Sequence, residues 1–255
     1  MSDAKPEAIR AESITKTFGT VVALNGVSLR VARGETLGIL GDNGAGKSTL
    51  IKILTGFHQP DSGRVYVDGR PVSLNSVDEA RALGIECVYQ DLALVNGLSI
   101  YHNMFLNREP LWGGLLRLLD HKTMRRRARE ALAEIGVAVP SVELEVGQLS
   151  GGQRQAIAVA RAVSSNARIL LLDEPLAAMG AREARLIIDL IDRLKSRGDI
   201  AVVMIAHNYA QTLEICDRVM LIQHGEVTFE SRTAATSAEE LLDIVRREYR
   251  AARTA

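Results

Sequence analysis

A glycine-rich segment at residues 41–48 constrains the fold of this chain more than any other part of the sequence. It matches the pattern G-x-x-x-x-G-K-[ST], a loop that cradles phosphate groups. The apolar run Thr36–Leu40 comes directly before it and can form a buried strand, and residues 49–54 come directly after it and can form a helix. This strand–loop–helix context predicts an α/β fold that binds a nucleotide at the end of a strand.

Each residue type in the loop has a chemical reason to be there. Glycines at 41, 44 and 46 accept positive φ and let the backbone approach an anion closely. Lys47 can reach the β- and γ-phosphate oxygens, and the Ser48 hydroxyl is placed to bind Mg²⁺. The residues predicted to hold ATP are Gly41, Asp42, Asn43, Gly44, Ala45, Gly46, Lys47, Ser48 and Thr49. The alternative is a glycine-rich turn that joins a strand to a helix and binds nothing.

A pair of carboxylates follows a second apolar run. Residues 167–172 have the composition of a strand buried on both faces, and Asp173 and Glu174 come directly after them. Ligands of open α/β sheets bind at the carboxyl ends of strands, so Asp173 is predicted to complete the Mg²⁺ site. Glu174 is predicted to orient or deprotonate an attacking water. Seen alone, such a pair is more often a helix cap or part of a solvated loop.

A third motif begins at Leu149. Ser150 and Gln153 have the spacing of a capping box, which predicts that a helix begins here. Gly151 and Gly152 permit close approach, and the free N–H groups of the first turn form a second anion-binding surface. Because ATP has one terminal phosphate, two such surfaces in one chain predict a head-to-tail dimer. Each ATP would then lie between the loop of one copy and the Ser150 helix of the other.

The order of these motifs resembles the nucleotide-binding subunit of an ABC transporter, over residues 9–230. By this resemblance Phe18 stacks on adenine, Gln90 senses Mg²⁺ and the transmembrane partner, and His207 contacts the γ-phosphate. Taken singly, Phe18 would be core packing, Gln90 a polar strand end and His207 a helix cap. Within the family, residues 89–94 and 174–180 are similar to cassettes of monosaccharide importers of the ribose, xylose and fructose kind.

The resemblance also implies an architecture. It is α/β, a phosphate-loop NTPase core with a mostly parallel sheet, an antiparallel β edge and a helical insert at about 91–165. Residues 5–250 would form a single ATP-binding cassette. Gly180 departs from the family pattern, which usually has an aspartate at this position that helps couple the two ATP sites. How tightly the two sites are coupled in this chain is therefore an open question.

The activity implied by the resemblance is Mg²⁺-dependent ATP hydrolysis, with Glu174, His207 and Gln90 as catalytic residues. It would power monosaccharide uptake through transmembrane permease subunits and, indirectly, a periplasmic or extracellular sugar-binding protein. The chain would then lie at the cytoplasmic face of the membrane. The alternatives are an importer ATPase for another small solute and a soluble ABC-type ATPase that acts on DNA or ribosomes. A phosphate-loop kinase or GTPase would leave residues 149–153 without a role.

The segment after Gln90 has two open interpretations. Its apolar side chains either fill the core of the helical insert or receive a short cytoplasmic helix of the membrane subunit. The side chains concerned are Leu92, Leu94, Leu98, Ile100, Met104, Phe105 and Leu106.

Composition narrows the class of partner. The chain has 31 basic and 31 acidic residues and a net charge of +0, so no broad positive field attracts nucleic acid. The basic cluster at 125–129 is predicted to be the solvated face of a helix. Cys87 and Cys216 have the spacing of neither a metal site nor a disulfide framework. No run approaches the ~18 apolar residues of a membrane span, so membrane association is expected through partners.

Periodicity and turn signals predict the remaining elements. Short strands over 9–31 are expected to turn at 19–20 and again at 25–26, and a hairpin is expected at 68–69. Residues 91–165 are predicted to be mainly helical. Predicted helices cover 122–136, 181–197, 208–217 and 238–249, and predicted strands cover 167–172, 200–206 and 218–224.

Overall fold

The computed structural model of the protein describes residues 5–113, 118–177 and 179–252. Its strands are β1 (Glu7–Phe18), β2 (Val21–Ala32), β3 (Thr36–Leu40), β4 (Ser62–Val67), β5 (Arg70–Val72), β6 (Ile85–Val88), β7 (Ile169–Asp173), β8 (Ala201–Ile205), β9 (Arg218–Gln223) and β10 (Glu226–Arg232). Its helices are α1 (Lys47–Leu54), α2 (Val77–Ala82), α3 (Ile100–Phe105), α4 (His121–Glu134), α5 (Gly151–Ser164), α6 (Ala181–Arg197), α7 (Tyr209–Ile215) and α8 (Ala238–Ala252).

A six-stranded sheet forms the centre of the fold. Its strand order is β10-β9-β3-β8-β7-β6, and every pair is parallel except β10 with β9. In β7, Ile169 and Leu171 face one hydrophobic layer, and Leu170 and Leu172 face the other. Both faces are thus covered, which explains why the strands are continuous apolar runs without alternation. The mostly parallel sheet agrees with the predicted fold class.

A four-stranded antiparallel sheet, in the order β2-β1-β4-β5, covers one side of the core together with α1. The expected turns at 19–20 and 68–69 are present, since they join β1 to β2 and β4 to β5. The prediction of a turn at 25–26 is wrong, because β2 continues through these residues. Gly26 has φ +72° at a shift in the β1–β2 register, and the Asn25 N–H donates to the Gly225 carbonyl over 2.8 Å. The Asn25–Gly26 pair, which is typical of a turn, therefore forms a β-bulge that is hydrogen-bonded to the β9–β10 turn.

The segment between β6 and β7 contains α3, α4 and α5. It is less helical than the sequence predicted, because the described parts of 106–120 and 135–150 are largely irregular. Pro110 and Pro140 lie in these connections and cannot continue a helix. Met124, Ala128 and Leu132 of α4 are buried against α3 and α5, whereas the basic residues at 126, 127 and 129 are not buried. This agrees with a solvated basic face.

The later strands and helices lie close to their predicted bounds, and α6 coincides with its prediction. Across the described ranges of the chain, no helix combines the length and the apolar character that crossing a membrane requires.

Candidate nucleotide-binding site

The loop at residues 41–46 joins β3 to α1 and is shaped by glycines. Gly46 is the N-cap of α1 with φ 102°, and no side chain caps the helix there. A Cβ at Gly46 would lie 2.3 Å from the Ala23 carbonyl oxygen of β2, and one at Gly41 would lie 2.1 Å from the Ile222 carbonyl oxygen. The loop is thus packed tightly against two strands, while the N–H groups that begin α1 remain suited to an anion.

Lys47 is the first residue of α1 and is folded back over the loop. Its Nζ donates to the Gly41 carbonyl over 2.7 Å and to the Asp42 carbonyl over 2.8 Å, and the side chain is buried. Burial lowers the pKa of Lys47, and the charges of Glu174, Asp42 and Asp173 oppose that shift. Carbonyls are neutral acceptors, so a phosphate would be a stronger partner for this ammonium. The loop therefore fits the polyphosphate of a nucleotide.

Four strand ends bring the predicted residues to one edge of the sheet. β3, β8, β7 and β6 are neighbours and parallel, so the loop, His207, Asp173 and Gln90 follow adjacent carboxyl ends. The Glu174 N–H donates to the Ile205 carbonyl over 3.1 Å, which ties the end of β7 to that of β8. This edge is the place where open α/β sheets bind ligands.

Two carboxylates are crowded at the end of β7. Burial raises the pKa of Asp173 above its usual range, and the neighbouring charge of Glu174 raises it further, against the opposing Lys47 charge. Glu174 itself has φ +52°, in the left-handed region that non-glycine residues rarely adopt. Such backbone strain is found at functional sites, where the surrounding structure holds it in place.

His207 and Glu174 contact each other directly. The Nε2 of His207 forms a hydrogen bond with Oε1 of Glu174. The sequence predicted that each would act near the γ-phosphate but did not predict this bond. It restricts both side chains to one geometry, with the carboxylate at the carboxyl edge of the sheet.

Phe18 ends β1 and lies at the surface, where the residue is 43% exposed. Its ring makes an edge contact with the His58 ring, with centroids 5.2 Å apart, and His58 makes a similar contact with Phe57 at 5.1 Å. Sequence reasoning missed Phe57 and His58, although an aromatic pair directly after the phosphate-loop helix was a signal. An exposed aromatic group of this kind suits stacking on a base.

Gln90 is exposed two residues beyond β6 and lines an open cavity of about 300 Å³ with Leu92, Leu94 and Arg154. Ile100 and Met104 are fully buried, so they belong to the core of the helical segment. Leu92, Leu94 and Phe105 are partly buried against the same core, and Leu98 is partly exposed. Leu106 is 39% exposed.

The predicted capping box at the start of α5 is present. The Gln153 N–H donates to Oγ of Ser150 over 3.3 Å, and the Ser150 N–H donates to Oε1 of Gln153 over 3.0 Å. The Gly152 N–H donates to a carboxylate oxygen of Glu183 in α6 over 3.4 Å. Glu183 was not identified from the sequence, although it follows the N-cap glycine of α6 by the three residues of a capping pattern.

Residues 24–177 match a family model described as ABC transporter. The chain is 42% identical over 239 residues to a xylose/arabinose import ATP-binding protein of Sulfolobus acidocaldarius, covering 94% of each chain. It is 40% identical over 227 residues to a fructose import ATP-binding protein of Rhizobium meliloti, covering 87% of each chain. A ribose import ATP-binding protein of Chromobacterium violaceum is 38% identical over 92% of this chain, which spans only 46% of that relative.

Solved structures give the same result for the fold. An ATP-binding cassette of an ABC transporter in its ADP conformation superposes with a TM-score of 0.79 at 28% identity, covering 93% of this chain and 94% of the other. A dimeric bacterial ABC transporter cassette gives a TM-score of 0.73 at 28% identity, covering 88% and 98%. The chain belongs to the ABC transporter family and has the fold of its ATP-binding cassettes, which confirms the resemblance drawn from the motifs.

Proposed function

We propose that this chain is the ATP-hydrolysing subunit of an importer that takes up a monosaccharide, and that residues 5–250 act as a single cassette. The observation that carries the proposal is that one chain has two glycine-rich helix starts suited to phosphate, at α1 and α5. The import names of the relatives, for xylose or arabinose, fructose and ribose, support the substrate class.

The nucleotide would be shared between two copies of the chain. Residues 41–49 of one copy would hold the phosphates while Phe18 stacks on adenine. Ser150, Gly151, Gly152 and Gln153 of the second copy would close the site, with the Ser150 hydroxyl and the Gly152 N–H donating to the γ-phosphate. A dimeric cassette among the structural neighbours supports assembly as a dimer.

Within that site, positioning and charge neutralisation would do most of the work, because phosphoryl transfer has a loose transition state. Glu174, held by His207, would accept a hydrogen bond from the attacking water and orient it toward the γ-phosphorus. Lys47 would exchange its carbonyl partners for phosphate oxygens and neutralise developing charge. His207 would in addition keep the carboxylate from turning away from the water.

A Mg²⁺ ion fits this group of residues. Burial, and after it the charge of Glu174, raise the pKa of Asp173, and a dication would stabilise the ionised carboxylate. Ser48, Gln90 and Asp173 would hold the ion. Among the described residues no three acidic, histidine or cysteine side chains converge to hold a metal, so nucleotide oxygens would complete its coordination. When bound, the ion would neutralise phosphate charge and orient the phosphates.

The partners would be transmembrane permease subunits, reached through the surface that surrounds Gln90 and the cavity it lines. A periplasmic or extracellular sugar-binding protein would deliver the solute to them. The cassette would then lie at the cytoplasmic face of the membrane without entering it.

Uptake in the native host tests this function. Deletion of the gene should abolish uptake of one labelled sugar among xylose, arabinose, fructose and ribose, and should leave amino-acid uptake unchanged. The wild-type chain and a Glu214→Gln control, altered at an exposed carboxylate, should restore uptake, whereas Glu174→Gln should not.

Two results would contradict the proposal in different ways. If uptake of an unrelated solute is lost and all four sugars are transported normally, the chain is an importer ATPase and the proposed substrate class is wrong. Normal uptake of every solute together with a defect in translation or DNA repair would favour a soluble ATPase of the same family.

A further inference from the structure

Glu183 lies where the first turns of α5 and α6 meet. Its carboxylate accepts the Gly152 N–H over 3.4 Å, and the Ser150 hydroxyl and the Gly180 N–H are near enough to lower its pKa. Ser150 and Gly152 belong to the start of α5, and Gly180 is the N-cap of α6. The hydrogen bond from Gly152, and after it the interaction with Ser150, hold the pKa of Glu183 below its usual range. One ionised carboxylate thus serves two helix N-termini.

This contact requires glycine at position 152. A Cβ there would lie 2.9 Å from Cβ of Glu183 and 3.2 Å from its Cα. Position 151 is different, since a Cβ at Gly151 would come no closer than 3.8 Å to the Glu183 carboxylate. The second glycine of the motif therefore lets α6 approach until its carboxylate reaches the amide.

The two donors from α5 are those that the proposed function assigns to the γ-phosphate of the partner's ATP. The Ser150 hydroxyl and the Gly152 N–H each carry one hydrogen, so a carboxylate and a phosphate cannot both take them fully. The Glu183 carboxylate and the γ-phosphate would also repel each other if both approached the same donors. Glu183 and the nucleotide therefore compete for one pair of donors.

We infer that Glu183 is a positioning residue that occupies the phosphate-binding end of α5 until the partner's ATP displaces it. The inference rests on the proposed dimer. Arg154 in α5 is close enough to stabilise the Glu183 charge, and its buried Nε has no hydrogen-bond partner within the described residues. The displaced carboxylate thus has a cation nearby.

Displacement would also connect the two ATP sites. Glu183 is in the first turn of α6, and the short segment before that helix begins at Glu174. A phosphate that removes Glu183 from α5 would release the contact between the first turns of α5 and α6. Arrival of one ATP would in this way alter the position of the carboxylate that serves the other ATP.

Dimerisation of a hydrolysis-deficient chain tests the competition. With Glu174→Gln as parent, the fraction of dimer is measured by analytical ultracentrifugation against ATP concentration. Adding Glu183→Gln keeps an acceptor oxygen but removes the charge, and should lower the half-maximal ATP concentration about tenfold. The matched control is Asp189→Asn, which removes a charge from the same helix at a carboxylate paired with Arg185 and should have no effect.

A second variant covers the case in which Glu183→Gln does not fold. Glu183→Asp keeps a charge in the first turn of α6 but is one methylene shorter, so its carboxylate withdraws from Gly152. It should shift the half-maximal ATP concentration in the same direction, by about threefold. With Glu174 intact, Glu183→Gln should lower the half-saturating ATP concentration for hydrolysis and change kcat by less than about threefold.

The outcomes separate the inference from the proposed function. If the Glu174→Gln parent stays monomeric at saturating ATP, the dimer model fails and the inference fails with it. If the parent dimerises and the folded Glu183 variants need as much ATP or more, Glu183 does not compete with phosphate. A lowered melting temperature with unchanged ATP dependence would make Glu183 a helix cap alone and would overturn the inference.

Discussion

The starts of α1 and α5 are both glycine-rich and both suited to phosphate, yet they are built in opposite ways. At α1 the N-cap is Gly46, no side chain caps the helix, and the cation of Lys47 lies over the loop. At α5 the N-cap is Ser150 in a complete capping box, and the carboxylate of Glu183 accepts the Gly152 N–H. One helix start presents a positive charge, and the other holds a negative one.

This difference shows how a chain can carry two phosphate-binding surfaces although a single subunit binds phosphate at only one of them. The α1 start is ready for phosphate in a single subunit, because its buried lysine donates to two neutral backbone carbonyls. The α5 start already has an anion, the Glu183 carboxylate, bound to it inside the subunit. It gains from phosphate only when a partner brings one, so the second surface favours assembly rather than binding by a monomer.

The largest expected effect belongs to the α1 side of the comparison. Glu174→Gln should lower kcat by about 10²–10⁴, because it removes the carboxylate that positions and polarises the water. ATP affinity of the monomer should not fall, since Lys47 and the loop are intact. Steady-state hydrolysis at saturating ATP measures kcat, and equilibrium binding measures the affinity of the monomer for ATP. Hydrolysis at a near-normal rate would remove Glu174 from the mechanism.

Mixing variants tests whether the two helix starts act on one ATP. Ser150→Arg alone and Lys47→Ala alone should each lose most hydrolysis. A mixture should recover activity, because each heterodimer contains one site with an intact loop and an intact α5. About a quarter of wild-type activity is expected if subunits pair at random and sites act independently. A mixture as inactive as its components would contradict the shared site.

A smaller effect is expected where α5 touches α6. Gly152→Ala should destabilise the fold by about 1–3 kcal/mol, because its Cβ would overlap the backbone side of Glu183. Gly151→Ala is the matched control and should cost much less, since its Cβ would meet only the end of that side chain. Urea unfolding of both variants measures the difference. Equal destabilisation would show that the close approach of α6 is not specific to position 152.

The carboxylate pair at β7 should lower the stability of the nucleotide-free protein. Ionised Asp173 is disfavoured in the fold, so its pKa is raised and the folded state binds the proton more tightly than the unfolded one. Stability should therefore fall as pH rises from the ordinary aspartate range through the raised pKa. Asp173→Asn should raise Tm by about 1–3 °C at pH 7 while it abolishes hydrolysis. This rise in Tm should vanish in acid, where Asp173 is protonated in both the folded and the unfolded state. Calorimetry across pH measures it.

The smallest effect concerns Gly180, the N-cap of α6. It has φ −68° and ψ 161°, and a Cβ there would meet no atom within 4 Å, so Gly180→Asp should be tolerated. An aspartate N-cap should stabilise the helix by a few tenths of a kcal/mol over glycine. Chemical denaturation measures this, with Gly198→Asp, in a left-handed C-cap, as a destabilising contrast. Loss of stability at position 180 would mean that the backbone there needs glycine.

Local patterns were enough to predict much of the fold and where the candidate site begins. The loop at 41–48, the apolar strand before Asp173 and the Ser150 capping box involve residues close together in the chain, and each pattern carries its own physical reason. The Asn25–Gly26 pair was misread for the same reason, because a turn signal does not reveal that the β9–β10 turn will hydrogen bond to it.

What the sequence determined by itself is the chemistry at each strand and helix end, since glycine, lysine, serine and carboxylate act there through short-range backbone geometry. Only the tertiary structure decided which of these ends meet. The bond between His207 and Glu174 depends on β7 and β8 being neighbours in the sheet, and the contact of Glu183 with Gly152 depends on how closely α6 packs on α5. These pairs are separated by 33 and 31 residues, and no local pattern specifies a distance across a packed core.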